Sequence, residues 1–159
     1  MPLSARVWDY MDRKFKTIHA DASLAEAMEA MADVAKTIHN RSLVVVDHQN
    51  RPLGVIAMRN VLEAFRNEFI TWHGLLGKTG WQEAMEKGLK ECHYRKVEDF
   101  MVKVPALRMN DDLLKAYTLL TDRKIRLRIA PVVEADEVVG VIRIPELFDA
   151  FLDAFRKTC

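Results

Sequence analysis

One pattern occurs twice in this chain, and an internal repeat constrains a fold more tightly than composition does. Residues 42–60 read SLVVVDHQNRPLGVIAMRN. A β-branched run, Leu43 to Val46, closes on Asp47. A polar turn follows from His48 to Pro52, and a second apolar run, Leu53 to Ile56, leads to a helix from about Asn60. That order of signals describes a β-hairpin entering a helix. Residues 130–146, APVVEADEVVGVIRIPE, repeat it. Pro131-Val132-Val133 form the first strand, Glu134 takes the place of Asp47, Val138 to Ile142 form the second strand, and the helix starts near Pro145.

The repeat extends upstream of each hairpin. Val7-Trp8-Asp9-Tyr10-Met11, a short turn-like opening, is matched by Val97-Glu98-Asp99-Phe100-Met101. An extended piece from Phe15 to His19 is matched by one from Val104 to Leu107. Asp21-Ala22-Ser23 then opens a helix, with Glu26 three residues after Ser23 to complete a capping box, and Asn110-Asp111-Asp112-Leu113 repeats the start. Leu24, Ala27, Met28, Met31 and Val34 form one helical face, and Leu113, Ala116, Tyr117 and Leu120 form the other. The closing helices carry Val61, Leu62, Phe65, Phe69 and Trp72, and Leu147, Phe148, Phe151, Leu152 and Phe155.

Each unit reads β-α-β-β-α. At about 55–60 residues it buries only about 60% of its chain surface and is marginal alone. The expected architecture is therefore α+β: two pseudo-symmetric repeats, 6–66 and 96–155, packed sheet to sheet with helices outside. Residues 67–95 read as an inserted linker broken by Gly74, Gly77 and Gly80. Within it Trp81, Met85 and Leu89, at steps of four, predict a short helix with one apolar stripe. That stripe either covers the module's own core or faces another subunit or protein.

Charge and motif content narrow the function. A net charge of +1 gives no field that would draw nucleic acid or a membrane surface. No apolar run approaches the roughly 20 residues that span a bilayer. The first residues lack the apolar core of a signal peptide. Cys92 and Cys159 are not a close-spaced pair, so a cytoplasmic setting without a disulfide framework is expected. His19, His39, His48, His73 and His93 are scattered without metal-ligand spacing. No Ser-His-Asp order, phosphate loop or catalytic carboxylate pair stands out, so no enzymatic activity and no required cofactor are expected. Met28, Met31 and Met85, and Trp8, Trp72 and Trp81, read as packing residues.

The Val-x-Asp-aromatic-Met opening, the Asp/Asn-x-Ser/Asp-Leu helix start, the strand ending in an acid and the Gly-Val-Ile before a helix occur twice, in order. Together they resemble a CBS-domain pair, or Bateman module. The resemblance implies a cleft between the two sheets that takes an adenosine-containing ligand (AMP, ADP, ATP or S-adenosylmethionine). It also implies dimerisation through the helices and a separate effector protein that receives the signal. The aromatic helix faces independently suggest a homodimer.

In ligand-binding members of that family the second strand ends in Gly-x-x-Thr/Ser-x-x-Asp, the hydroxyl meeting phosphate and the acid meeting ribose. The first repeat has Gly54 to Asn60, with Ala57 for the hydroxyl and Asn60 for the acid. The second has Gly140 to Glu146, with Arg143 for the hydroxyl and Glu146 keeping the carboxylate. By the same resemblance the adenine would lie against Thr17-Ile18 and Leu43-Val44 in the first site, and against Ala106-Leu107 and Ala130-Pro131 in the second. Arg126 and Arg128 alternate along the strand that Ile125 to Val133 contains, so they point to the same side. They either join Arg143 in an anion site or lie on a solvated strand edge. The motif departures leave a second class of function open, a structural dimerisation or protein-interaction module with degenerate ligand sites.

Overall fold

The hairpins form where the turn residues place them. In this computed structural model, which describes residues 5–34, 42–66, 82–125 and 127–158, the first repeat opens with a one-turn helix α1 (Val7–Tyr10). Strand β1 (Thr17–His19), helix α2 (Leu24–Val34), strands β2 (Leu43–Val46) and β3 (Pro52–Ile56), and helix α3 (Met58–Ala64) follow. Residues 82–91 are helical and are called α4. The second repeat has a 3-10 turn (Val97–Asp99), then β4 (Leu107–Arg108), α5 (Leu113–Leu120), β5 (Ile129–Glu134), β6 (Glu137–Arg143) and α6 (Ile144–Thr158). The strands form two three-stranded sheets, ordered β1-β2-β3 and β4-β5-β6. In the second sheet β4 runs parallel to β5, while β6 is antiparallel to it, with Ala130 opposite Ile142.

Local chemistry accounts for the element boundaries. The capping box closes as the sequence predicts: Ser23 Oγ accepts from Glu26 N at 3.1 Å, and Glu26 Oε2 accepts from Ser23 N at 2.9 Å. In the second repeat Asp112 Oδ1 accepts from Lys115 N at 3.0 Å. Asp47 organises the first hairpin turn, its Oδ1 accepting from Gln49 N (2.9 Å) and Arg51 N (3.0 Å) and its Oδ2 from Arg51 Nε (2.8 Å). Those donors, the Arg51 backbone first, hold the Asp47 carboxyl below its ordinary value. Ala135 and Asp136 both take positive φ (51° and 67°), the two-residue turn that suits the twist of a hairpin. Both closing helices start slightly earlier than predicted, at Met58 and Ile144.

The compact units do not follow the sequence repeats. One unit gathers Met1–Phe15, Val46–Val55 and Lys103–Cys159, and the other Lys16–Val45 and Ile56–Val102. Each repeat's opening segment thus packs with the other repeat's body. In the first unit Val7 N donates to Asp111 O at 2.9 Å and Trp8 N to Met109 O at 3.0 Å. In the second, Val97 N donates to Ala22 O at 2.8 Å and Glu98 N to Ala20 O at 3.0 Å. Val7 and Val97, at the matching place, are both fully buried. The second unit's core comprises Ile18, Leu24, Met31, Leu43, Ile56 and Val61, among others.

Three packing expectations need correction. Met85 and Leu89 are exposed, and α4 instead buries Ala84 and Gly88, with Cys92 just beyond it. These buried residues are small; Trp81 lies outside the described residues. Met28 on α2 and Tyr117 on α5 are partly exposed, whereas Leu24, Ala27 and Met31, and Leu113, Ala116 and Leu120, are buried. Trp8 is half exposed, because its neighbour Val7 takes the core position. Val34 contributes a helical residue whose side chain is not described, and Phe69 and Trp72 lie outside the described residues.

Gly140 sits buried under the opening segment. A Cβ there would lie 3.0 Å from both the Asp12 carbonyl oxygen and Met11 Sδ. Gly140→Ala should therefore destabilise the protein by roughly 1–3 kcal/mol through overpacking. The check is a lower urea midpoint with an unchanged slope.

Candidate ligand site

The second hairpin delivers two charged side chains to one place. Strand β6 ends at Arg143 and α6 begins at the next residue, so Glu146 falls in the first helical turn. Arg143 is the one buried charged residue among the described residues, at 5% exposure. Its guanidinium is not a free fork. Nη1 donates to Asp12 Oδ2 at 3.0 Å and to Glu146 Oε1 at 3.2 Å, and Nη2 reaches the Lys14 carbonyl oxygen at 3.4 Å. The opening segment carrying Asp12 is held there by its backbone. Asp12 N donates to Val141 O at 2.8 Å, and Val141 N to Asp12 O at 2.9 Å. Two buried atoms, Arg143 Nε and Glu146 Oε2, find no hydrogen-bond partner among the described residues. Such orphans are uncommon in folded proteins.

Of the three arginines considered for an anion site, Arg128 is exposed and Arg143 is buried. Residues 123–125 are in a turn and β5 begins only at Ile129, so Arg128 precedes the strand and is exposed. Arg126 lies outside the described residues. Ala130 and Leu107 are buried strand residues, Ala130 opposite Ile142 and Leu107 opposite Val132. Leu107, with Pro105, Ala106, Leu114, Thr118 and Leu119 among its neighbours, lines an open, mainly apolar depression of ≈ 440 Å³. Arg143 and Glu146 are not part of its wall.

The first repeat's candidate residues all make structural contacts or lie in strands. Asn60 Oδ1 accepts from Ala57 N at 2.8 Å and so caps α3. Thr17 is half-buried on β1, and Ile18, Leu43 and Val44 are buried strand residues. Val44 N donates to Lys16 O at 3.0 Å. The residue that sequence reading missed is Asp12. A signal was present in the repeat itself. Asp12 stands where the second repeat has Val102, and Arg143 stands where the first has Ala57. Both members of the ion pair therefore replace an apolar residue.

With this geometry in view, comparison with known proteins is informative. The family model for the CBS domain matches residues 7–67 and 97–153. The chain belongs to the CBS-domain family. No curated protein matches the sequence. Among solved structures, the CBS-pair protein CBSX2 of Arabidopsis thaliana is 24% identical, with a TM-score of 0.68 and coverage of 96% of this chain and 98% of that one. The same protein in complex with AMP gives 21% identity, a TM-score of 0.64 and coverage of 94% and 98%. A CBS domain pair in complex with 5′-methylthioadenosine and S-adenosylmethionine is 18% identical, with a TM-score of 0.63 and coverage of 94% and 98%. These likenesses establish the CBS-pair fold. Among the described residues of this CBS pair no helix is long and apolar enough to cross a membrane, and no cluster of His, Cys, Asp and Glu could hold a metal ion.

The buried guanidinium of the CBS pair balances two carboxylates. Arg143→Met should leave Asp12 and Glu146 without their counter-charge and cost about 3 kcal/mol. Adding Asp12→Asn should recover part of that loss, which chemical denaturation of the two single variants and the double variant would measure as a coupling energy.

Proposed function

We propose that the chain is a regulatory CBS module that binds an adenosine-containing ligand at its second site and passes the signal to a separate protein. The observation that carries this reading is Glu146. Its carboxylate lies in the first turn of α6, and its Oε2 is buried without a partner among the described residues. An unpaired buried acceptor costs about 1–3 kcal/mol, and the two hydroxyls of a ribose are donors of the kind it lacks. The structural neighbours in complex with AMP, and with 5′-methylthioadenosine and S-adenosylmethionine, support the ligand class. Glu146 would accept from the sugar, and by the family resemblance the base would lie against the backbone near Ala106-Leu107 and Ala130-Pro131. The first repeat is the poorer candidate, since Asn60 already caps α3.

A thermal-shift series with AMP, ADP, ATP and S-adenosylmethionine tests the reading. A ligand that binds only the folded chain adds about 2.7 kcal/mol at 100 times its dissociation constant, enough to raise Tm by several degrees. At least one ligand should do so, and Glu146→Gln should weaken it about tenfold by removing a charge-assisted acceptor. No shift with any of them at millimolar concentration would sink the ligand-sensing role.

A second reading, an interaction module working as a homodimer, is favoured by one surface. On α6 the residues Ile144, Phe148, Phe151 and Phe155 are exposed at 42%, 62%, 44% and 62%. Beside them α5 and α6 enclose an apolar groove of ≈ 200 Å³ lined by Leu113, Leu114, Tyr117, Leu147, Ala150, Phe151 and Ala154. The first repeat exposes apolar side chains at the corresponding places, Met28, Met58 and Leu62. A contiguous apolar face of this kind marks an interface. The protein should sediment as a dimer at micromolar concentration, and Phe148→Asp with Phe155→Asp should make it monomeric. A wild-type monomer would reject this reading.

A further inference from the structure

We propose that Asp12 is a specificity-determining residue of the second site: its carboxylate is a built-in competitor that occupies the anion position of Arg143 and excludes phosphate. The inference rests on the second site being a ligand site, as argued above. An arginine fork matches a carboxylate and a phosphate by the same geometry, so a carboxylate already on Nη1 competes with a phosphate for it. Here Nη1 is held by Asp12 Oδ2 at 3.0 Å and shared with Glu146 Oε1 at 3.2 Å. One guanidinium faces two carboxylates, which leaves the cluster with a formal charge of −1. A phosphate brought beside it would meet net repulsion, and in partly buried surroundings that repulsion is poorly screened.

The competitor is placed so that it can leave. The Arg143 side chain is 6% exposed, whereas that of Asp12 is 32% exposed, so solvent reaches the pair from the Asp12 side. Asp12 is joined to β6 by an isolated bridge to Val141, not by a continued strand. Beyond it Arg13 and Lys14 are exposed, and Asp12 Oδ1 accepts from Lys14 N at 2.8 Å. Lifting the segment from Asp12 to Lys14 would take one of the two carboxylates off Nη1 and the Lys14 carbonyl off Nη2, opening that side of the fork to an incoming anion. Filling of the anion position and docking of this segment thus compete with each other. A ligand without phosphate meets no such competition.

Calorimetric titration of the full chain with AMP and with inorganic phosphate tests this, using the wild type, Asp12→Asn and Asp12→Glu. Asp12→Asn should bind AMP at least about tenfold more tightly than the wild type, and Asp12→Glu should stay near the wild type. Adenosine, which lacks the phosphate, should bind the wild type and Asp12→Asn alike. Hydrogen exchange in the wild type adds a readout that needs no variant: AMP at saturation should speed exchange at the amides of Asp12 and Val141. Equal AMP affinity in the wild type and a folded Asp12→Asn would overturn the proposal, as would unchanged protection of those amides in the AMP complex. If Asp12→Asn binds AMP while the wild type binds no adenosine compound, Asp12 is the competitor and the sensing role fails. If adenosine and AMP bind both proteins equally, the sensing role stands and the competitor falls. A folded Asp12→Asn that binds neither AMP nor phosphate also overturns it.

Discussion

A β-α-β-β-α repeat of this size has too little interior to stand alone and leaves strand edges unpaired, and the fold meets both problems by exchange. Each opening segment is donated to the other repeat's body, so that Val7 lies beside the α5 start and Val97 beside the α2 start. The two donations use equivalent backbone contacts, with bridges from Arg6 to Asp112 and from Lys96 to Ser23. Exchange adds a fully buried valine to each unit and covers backbone groups that would otherwise face water. Everything else about the second site depends on where the first opening segment is laid down.

That segment lies across β6, and its closeness sets the requirements there. Gly140 has no Cβ because the Asp12 carbonyl and Met11 occupy the space. Tyr10 reaches farther, its hydroxyl donating to Asp153 Oδ2 on α6 at 2.8 Å, and that bond pushes the phenol above its ordinary value. Arg143 then ties the segment to the start of α6 through Asp12 and Glu146. The first turn of α6, through Glu146, and the segment donated from the other repeat therefore share one guanidinium. The position of Glu146 and the docking of residues 11–14 are coupled by a single buried charge.

Most of the fold was legible because its signals are local. The strand from Leu43 to Val46 is a short β-branched run, Asp47 and Ala135-Asp136 make turns by their own chemistry, and Ser23 with Glu26 caps a helix within four residues. What sequence reading lost is non-local. The stripe of Met85 and Leu89 looked like the buried face of α4, yet Ala84 and Gly88 are buried instead, because the face that packs is decided by neighbours that periodicity does not name. Arg128 was read as part of a strand that starts one residue later. Arg143 was placed correctly at the end of β6, but its partner Asp12 is 131 residues away and belongs to no motif. Glu146 and Leu107 come from the family resemblance; the ion pair can be seen only by comparing the two repeats for positions where an apolar residue is replaced.

That comparison also bears on why the ion cluster exists. Burying a guanidinium costs several kcal/mol of desolvation, and ion pairs of this kind seldom outperform apolar residues of similar size. The chain itself holds the alternative, since Ala57 and Val102 occupy the matching positions of the other repeat. Each of these two positions is thus apolar in one repeat of the chain and charged in the other copy. Fold stability does not require the charges, because each position does without its charge in one of the two repeats. Incomplete satisfaction points the same way: Arg143 Nε and Glu146 Oε2 are left without partners among the described residues, which a cluster kept for stability alone would not favour. On the ligand-sensing reading proposed above, the charges serve what the second site admits and what it turns away.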